Sequence, residues 1–138
     1  MTYEILEFNR HSNYSFGQYF TLNEFNCKCA NNDCQVTKIS EELIDLLQAL
    51  RARVGHPIHV LSGYRCSKHN TAIGSTETSQ HRLGKAADIV AANMSPVELH
   101  KELSSLLEEK RESNGGLGLY KGFCHVDVRD NIARWNYS

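Results

Sequence analysis

Ser79-Gln80-His81-Arg82-Leu83-Gly84-Lys85-Ala86-Ala87-Asp88-Ile89-Val90 is the stretch on which the fold of this chain turns. Its last five residues are small or apolar apart from one aspartate, the composition of a largely buried strand. A carboxylate in such a place must be ionised for a reason or neutralised at a cost. Metal ligation is one reason; a buried salt bridge or a turn partner is another. Gly84 permits a sharp backbone path ahead of the strand, and that path can bring His81 back beside Asp88.

Downstream, Ser95-Pro96-Val97-Glu98 reads as a helix start: Ser95 as N-cap, Pro96 at the first helical position and Glu98 completing a capping box. Leu99, Leu103, Leu106 and Leu107 supply a buried stripe, and Asn114-Gly115-Gly116 ends the helical pattern. Residues 117–120 and 123–129 then read as a β-hairpin turning at Lys121-Gly122. A period of two places Cys124, Val126 and Val128 on a core face and Phe123, His125, Asp127 and Arg129 on the other. The second face is a row of reactive side chains that a purely structural strand has little use for.

Upstream, Leu43, Ile44, Leu46, Leu47, Leu50 and Val54 recur at intervals of three and four after Ser40, and Gly55-His56-Pro57 closes this amphipathic helix. Residues 58–61 form a short β-type run leading into Ser62-Gly63-Tyr64-Arg65, and the polar stretch 70–80 reads as a surface loop. Residues 1–18, rich in Asn, Ser and Tyr without a clear period, are expected to be an N-terminal arm. Residues 19–138 are expected to be a single domain, because 138 residues suffice for one hydrophobic core and are too few for two.

The formal net charge is −1 with the fifteen Lys and Arg spread along the chain, which argues against a nucleic-acid partner. No apolar run approaches the ~20 residues of a membrane span, so no membrane insertion is expected. The first residues lack a basic lead and an apolar segment of the secretory type. The expectation is a chain made in the cytoplasm without a signal peptide, and a monomer.

Five cysteines, an odd number, argue against a fully paired disulfide framework. Cys27, Cys29 and Cys34 crowd together and offer soft ligands to a second, structural zinc. Their spacing is not that of a standard zinc knuckle and a fourth ligand is not evident, so free thiols or a local disulfide are the favoured expectation. Among the histidines, His11, His56, His59, His69 and His100 read as surface or hydrogen-bonded core residues.

A hydrolytic zinc takes three protein ligands of the His and carboxylate type and keeps a fourth position open. The Ser-x-His-x-x-Gly-x-Ala-x-Asp segment entering a strand, followed by a Gly-rich hairpin with His125-Val126-Asp127, offers such a set. These segments resemble the zinc D-Ala-D-Ala carboxypeptidase family, within the wider group that includes lysostaphin-type peptidases and the hedgehog signalling domain. Residues 19–25 are similar to the family's N-terminal segment, 46–55 to its first helix, 62–65 to its arginine-bearing motif and 116–120 to its hairpin. The likeness covers roughly residues 19–135.

The resemblance implies an α+β domain, a small antiparallel sheet packed with two main helices, holding one catalytic zinc and acting on peptidoglycan stem peptides. It implies His81, Asp88 and His125 as ligands, Arg65 as the arginine facing the substrate and Ser79 as a hydroxyl near it; a surface ion pair is the plainer explanation of Arg65. One departure concerns the proton acceptor. Where relatives carry an acid three residues before the last ligand, or a histidine two before it, this chain has Gly122 and Phe123. Asp127 is the nearest ionisable replacement as general base, with orientation of a ligand as its alternative role. The resemblance implies removal of a terminal D-Ala or cleavage between L-Ala and D-Glu, as in a phage endolysin that acts at the cell wall if released by a phage pore or carried in a virion. The rival is a catalytically silent module of the same fold that binds or builds the wall.

Overall fold

Leu43, Ile44, Leu46, Leu47 and Leu50 are buried along one side of helix α1 (Glu41–Val54). The N-cap Ser40 accepts from the Leu43 N–H, and Gly55, at φ 70°, closes the last turn in the left-handed conformation that glycine adopts without strain. The structure, a computed structural model, describes residues 4–29, 34–74, 79–109 and 115–137. Helix α3 (Pro96–Glu109) opens on the capping box foreseen from sequence: the Ser95 N–H donates to Glu98 Oε1 and the Glu98 N–H to Ser95 Oγ, both at 3.1 Å. Between them lies a short helix, α2 (Ser67–Ala72), part of which occupies the stretch expected to be loop. Its one buried residue is polar, Asn70, so no apolar stripe announces it. Residues 75–78 of that expected loop lie outside the described residues.

Five strands make the main sheet in the order β5 (Ile58–Ser62), β6 (Ala86–Ala91), β8 (Cys124–Asp127), β7 (Gly115–Tyr120), β9 (Ile132–Tyr137). The first four pair antiparallel, as expected; β9 joins the edge parallel to β7 and was not foreseen. Two small antiparallel pairs sit outside this sheet: β1 (Ile5–Asn9) with β4 (Val36–Ser40), and β2 (Ser15–Phe16) with β3 (Phe20–Thr21). The segment expected as an arm therefore contributes two strands, and its Phe16 belongs to the core.

The pleat gives the main sheet two chemically different faces. Ala87, Ile89, Leu117, Leu119, Cys124 and Val126 join Leu99, Leu103, Leu106 and Leu107 of α3 in the apolar core, with α1 packed behind. Truncating a side chain as buried as Leu103 to alanine costs roughly 2–5 kcal/mol. The opposite positions are Asp88 on β6, His125 and Asp127 on β8, Gly116, Gly118 and Tyr120 on β7, and Trp135 on β9. The site lies on this face. The α+β class, the antiparallel core of the sheet and the two main helices agree with expectation. None of the helices among the described residues is long and apolar enough to cross a membrane.

Candidate metal centre and substrate cleft

Register brings the key side chains together. Asp88 pairs directly with His125 across β6 and β8. His81 arrives from the turn before β6, where Gly84 has φ 77° and a Cβ would stand 2.7 Å from the Lys38 carbonyl oxygen, so both backbone conformation and space require glycine. The His81 carbonyl accepts from the Arg65 and Gly84 N–H groups, which fastens this turn to the loop after β5. One donor atom each from His81, Asp88 and His125 fall within 4.8 Å of one another.

Neighbours fix both imidazoles. His81 Nδ1 is 2.8 Å from the Gly63 carbonyl, which can only accept, so Nδ1 carries the hydrogen and Nε2 presents a lone pair toward Asp88 Oδ1 at 3.3 Å. His125 Nε2 is 2.7 Å from Asp127 Oδ2, so Nδ1 is left to face Asp88 Oδ1 at 3.0 Å. When His125 Nδ1 carries no proton, three lone pairs converge, an arrangement suited to a metal cation in competition with that proton. Two donors bound to one tetrahedral zinc at ~2.0–2.1 Å stand roughly 3.4 Å apart, close to the separations found here. The donor set fits zinc.

Charge follows geometry. Burial alone raises the Asp88 carboxyl, but bonds from His125 and His81 outweigh it and bring the pKa down to about 2. Burial likewise lowers His125, and the carboxylates of Asp127 and Asp88 reverse the shift and raise it. Asp127 is held well below the ordinary carboxylate range because bonds from Arg129 and His125 overcome its burial.

Asp127 was expected either as general base or as a residue that orients a ligand, and its position bears on that choice. As a general base it would stand on the open side of the cleft; instead its side chain is 0 % exposed and lies behind the His125 ring. Oδ1 accepts from the Gly116 N–H at 2.8 Å and from Arg129 Nε at 2.8 Å, while Oδ2 accepts from Arg129 Nη2 and His125 Nε2, each at 2.7 Å. A carboxylate so fully engaged is placed to orient the His125 ring and is turned away from the cleft.

Arg65, Ser79, His81, Asp88, Tyr120, Phe123, His125 and Trp135 line a cleft of about 340 Å³. Arg65 Nη2 lies 3.5 Å from Asp88 Oδ2, and its Nε is 3.3 Å from Ser62 Oγ, so the guanidinium stands at the rim of the donor set and is no surface ion pair. Tyr120 and Phe123 stack at 4.5 Å, and the Trp135 Nε1–H donates to Tyr120 Oη at 2.9 Å, forming an aromatic wall. Gly118 makes this wall possible, since a Cβ there would run into the Trp135 indole. Gly116 does the same for Asp127, whose carboxylate occupies the space a Cβ would take.

The family model described as Peptidase M15 matches residues 18–127. The chain belongs to the Peptidase M15 family. At that level it is a zinc-dependent metallopeptidase, a hydrolase, and the matched segment contains His81, Asp88 and His125. Comparison with curated proteins gives no significant match. The match ends before β9, so the wall residue Trp135 lies beyond it. Sequence reasoning missed Trp135 as well, although 132–137 contains the β-formers Ile132, Trp135 and Tyr137 and carries the chain's one tryptophan.

Proposed function

We propose that this M15 peptidase hydrolyses a peptide bond in the stem peptides of bacterial peptidoglycan. The observation that carries the reading is the Arg65 guanidinium beside Asp88, at the edge of a three-donor metal site and inside an open cleft. Bound zinc supplies a Lewis acid for the scissile carbonyl and lowers the pKa of a coordinated water. Arg65, a permanent planar cation with paired donors, suits a substrate carboxylate or the oxyanion that develops during hydrolysis. Tyr120, Phe123 and Trp135 give the peptide an apolar surface opposite, and Ser79 offers a hydroxyl to its backbone. Asp127 serves as a positioning residue that holds His125 in the ligating tautomer.

Two cleavages suit a cleft with one cation beside the metal. A carboxypeptidase would place the terminal D-Ala carboxylate on Arg65; an endopeptidase cutting L-Ala from D-Glu would place the glutamate carboxylate there. A second reading, a silent wall-binding module, is favoured by one observation: among the described residues lining the cleft, Asp88 is the only carboxylate, and it belongs to the metal set. Incubating zinc-loaded protein with purified peptidoglycan and with synthetic stem peptides, followed by mass spectrometry of the fragments, separates all three. Loss of one alanine marks the carboxypeptidase and release of the L-Ala end marks the endopeptidase. Intact peptides with retained wall binding mark the module.

A further inference from the structure

Four of the five cysteines converge about a point outside the catalytic cleft. Cys27 and Cys29 follow the 3-10 turn Leu22–Phe25, Cys34 precedes β4, and Cys66 caps α2. Their sulfurs all lie within 4.8 Å of one another. Cys66, 39 residues from Cys27 and separated from Cys34 by β4, α1 and β5, is the fourth sulfur of the cluster, which the sequence alone did not reveal.

The separations discriminate between two chemistries. Cys27 Sγ to Cys66 Sγ is 3.6 Å and Cys29 Sγ to Cys34 Sγ is 3.4 Å. A disulfide requires ~2.05 Å. Four thiolates at ~2.3 Å from one tetrahedral zinc stand about 3.8 Å apart, the edge of the tetrahedron. The surroundings suit thiolates too. The Cys66 N–H donates to Cys27 Sγ at 3.3 Å and the His69 N–H to Cys66 Sγ at 3.4 Å. Arg10 Nη1 reaches Cys29 Sγ at 3.4 Å and Cys34 Sγ at 3.3 Å. Four thiolates around a divalent ion leave a charge of −2, and a guanidinium with backbone N–H donors is the environment that stabilises it.

We propose that Cys27, Cys29, Cys34 and Cys66 bind a second zinc ion whose role is structural. Four sulfur ligands close the coordination shell, so no position remains for a substrate. On binding, each thiol releases its proton to solvent and the ion takes four sulfur bonds, with no change in oxidation state. The ion joins the segment after Phe25 to the residue immediately following Arg65. It thereby reinforces the bond from the Tyr64 N–H to the Phe25 carbonyl at 2.9 Å and steadies the loop that presents Arg65 to the cleft. Cys124 takes no part: it is buried in the core, with its Sγ donating to the Pro96 carbonyl at 3.1 Å.

The test is metal analysis of the whole chain purified under reducing conditions with zinc, followed by titration with an organomercurial while released zinc is measured. Two zinc ions per chain are expected, one of them released in step with modification of the four thiols. Cobalt-loaded protein should show thiolate-to-cobalt charge-transfer absorption that persists in His81→Ala and disappears in Cys66→Ser. This separates the structural ion from the catalytic one, so either site can fail alone. The wild-type titration and spectrum need no variant, which keeps the test valid if Cys66→Ser does not fold. One zinc per chain with four freely reactive thiols overturns the proposal. So does an intact mass lower by four hydrogens without the charge-transfer band, which would mean disulfides Cys27–Cys66 and Cys29–Cys34. Iron in place of zinc overturns the assignment of the ion.

Discussion

His125 and Asp127 stand two residues apart on β8 and face the same side, and the imidazole Nε2–H donates to Asp127 Oδ2 at 2.7 Å. This one bond sets the tautomer that leaves Nδ1 free to face Asp88. It also makes Asp127 part of the scaffold of the metal site, a role sustained from the other side by both prongs of Arg129.

Asp127→Asn should therefore weaken zinc binding by ~10–100-fold, the usual effect of losing a partner that orients a ligand. The amide keeps the shape but loses the charge that Arg129 and His125 both require. Competition with a chromophoric chelator measures the affinity. Wild-type affinity combined with lost hydrolysis would instead return Asp127 to the role of proton acceptor.

Arg65→Lys should lower kcat/KM by roughly 10²-fold, the scale of losing a donor to the developing negative charge. Lysine keeps the charge but not the planar pair of donors. The melting temperature and zinc content should stay near wild type, because Arg65 lines the cleft and is not a ligand. Unchanged turnover on stem peptides would remove Arg65 from substrate contact.

Gly118→Ala should dislodge Trp135, since the new Cβ occupies the place of the indole. Overpacking of this kind costs ~1–3 kcal/mol in stability and opens the aromatic wall. Trp135 is the chain's one tryptophan, so its fluorescence reports the change directly, with a red-shifted emission expected. An unshifted spectrum would show that the indole is not seated over Gly118.

The pH dependence has two limbs. Asp88 and Asp127 are lowered in the fold, so their contribution to stability is present above the unfolded value of ~3.9 and is lost as pH falls, for Asp88 toward about 2. His125 is raised, so its contribution without metal is present below ~6.5 and is lost as pH rises through the folded value. Zinc competes with that proton, so affinity should climb about tenfold per pH unit until His125 is deprotonated. Thermal melts with and without zinc check both: the metal-free optimum should lie between pH ~4 and ~6.5 and move upward with zinc. A zinc affinity independent of pH from 6 to 8 would count against His125 as a ligand.

The local parts of the site were legible from spacing, while the joining of His125 to Asp88 across 37 residues and the place of Arg65 rested on the family resemblance. His81, Gly84 and Asp88 lie within one turn and one strand, and the period of two puts His125 and Asp127 on one face. What escaped was long-range. Trp135 depends on β9 returning parallel to β7, and Cys66 meets Cys27 across 39 residues, neither of which a local pattern encodes. For Asp127 the sequence left two roles open, general base and orientation of a ligand, because strand periodicity places it on the right face but cannot tell a carboxylate in front of an imidazole from one behind it. Helix α2 escaped because its buried residue is an asparagine and its N-cap is the sulfur of Cys66.

The donor geometry of His81, Asp88 and His125 predicts a zinc ion bound among them. Anomalous diffraction at the zinc edge from crystals of the zinc-loaded protein tests it most directly. The expected result is a peak ~2.0–2.2 Å from His81 Nε2, Asp88 Oδ1 and His125 Nδ1. Absence of a peak there, or a peak bound to His125 Nε2 and Asp127, would contradict the account.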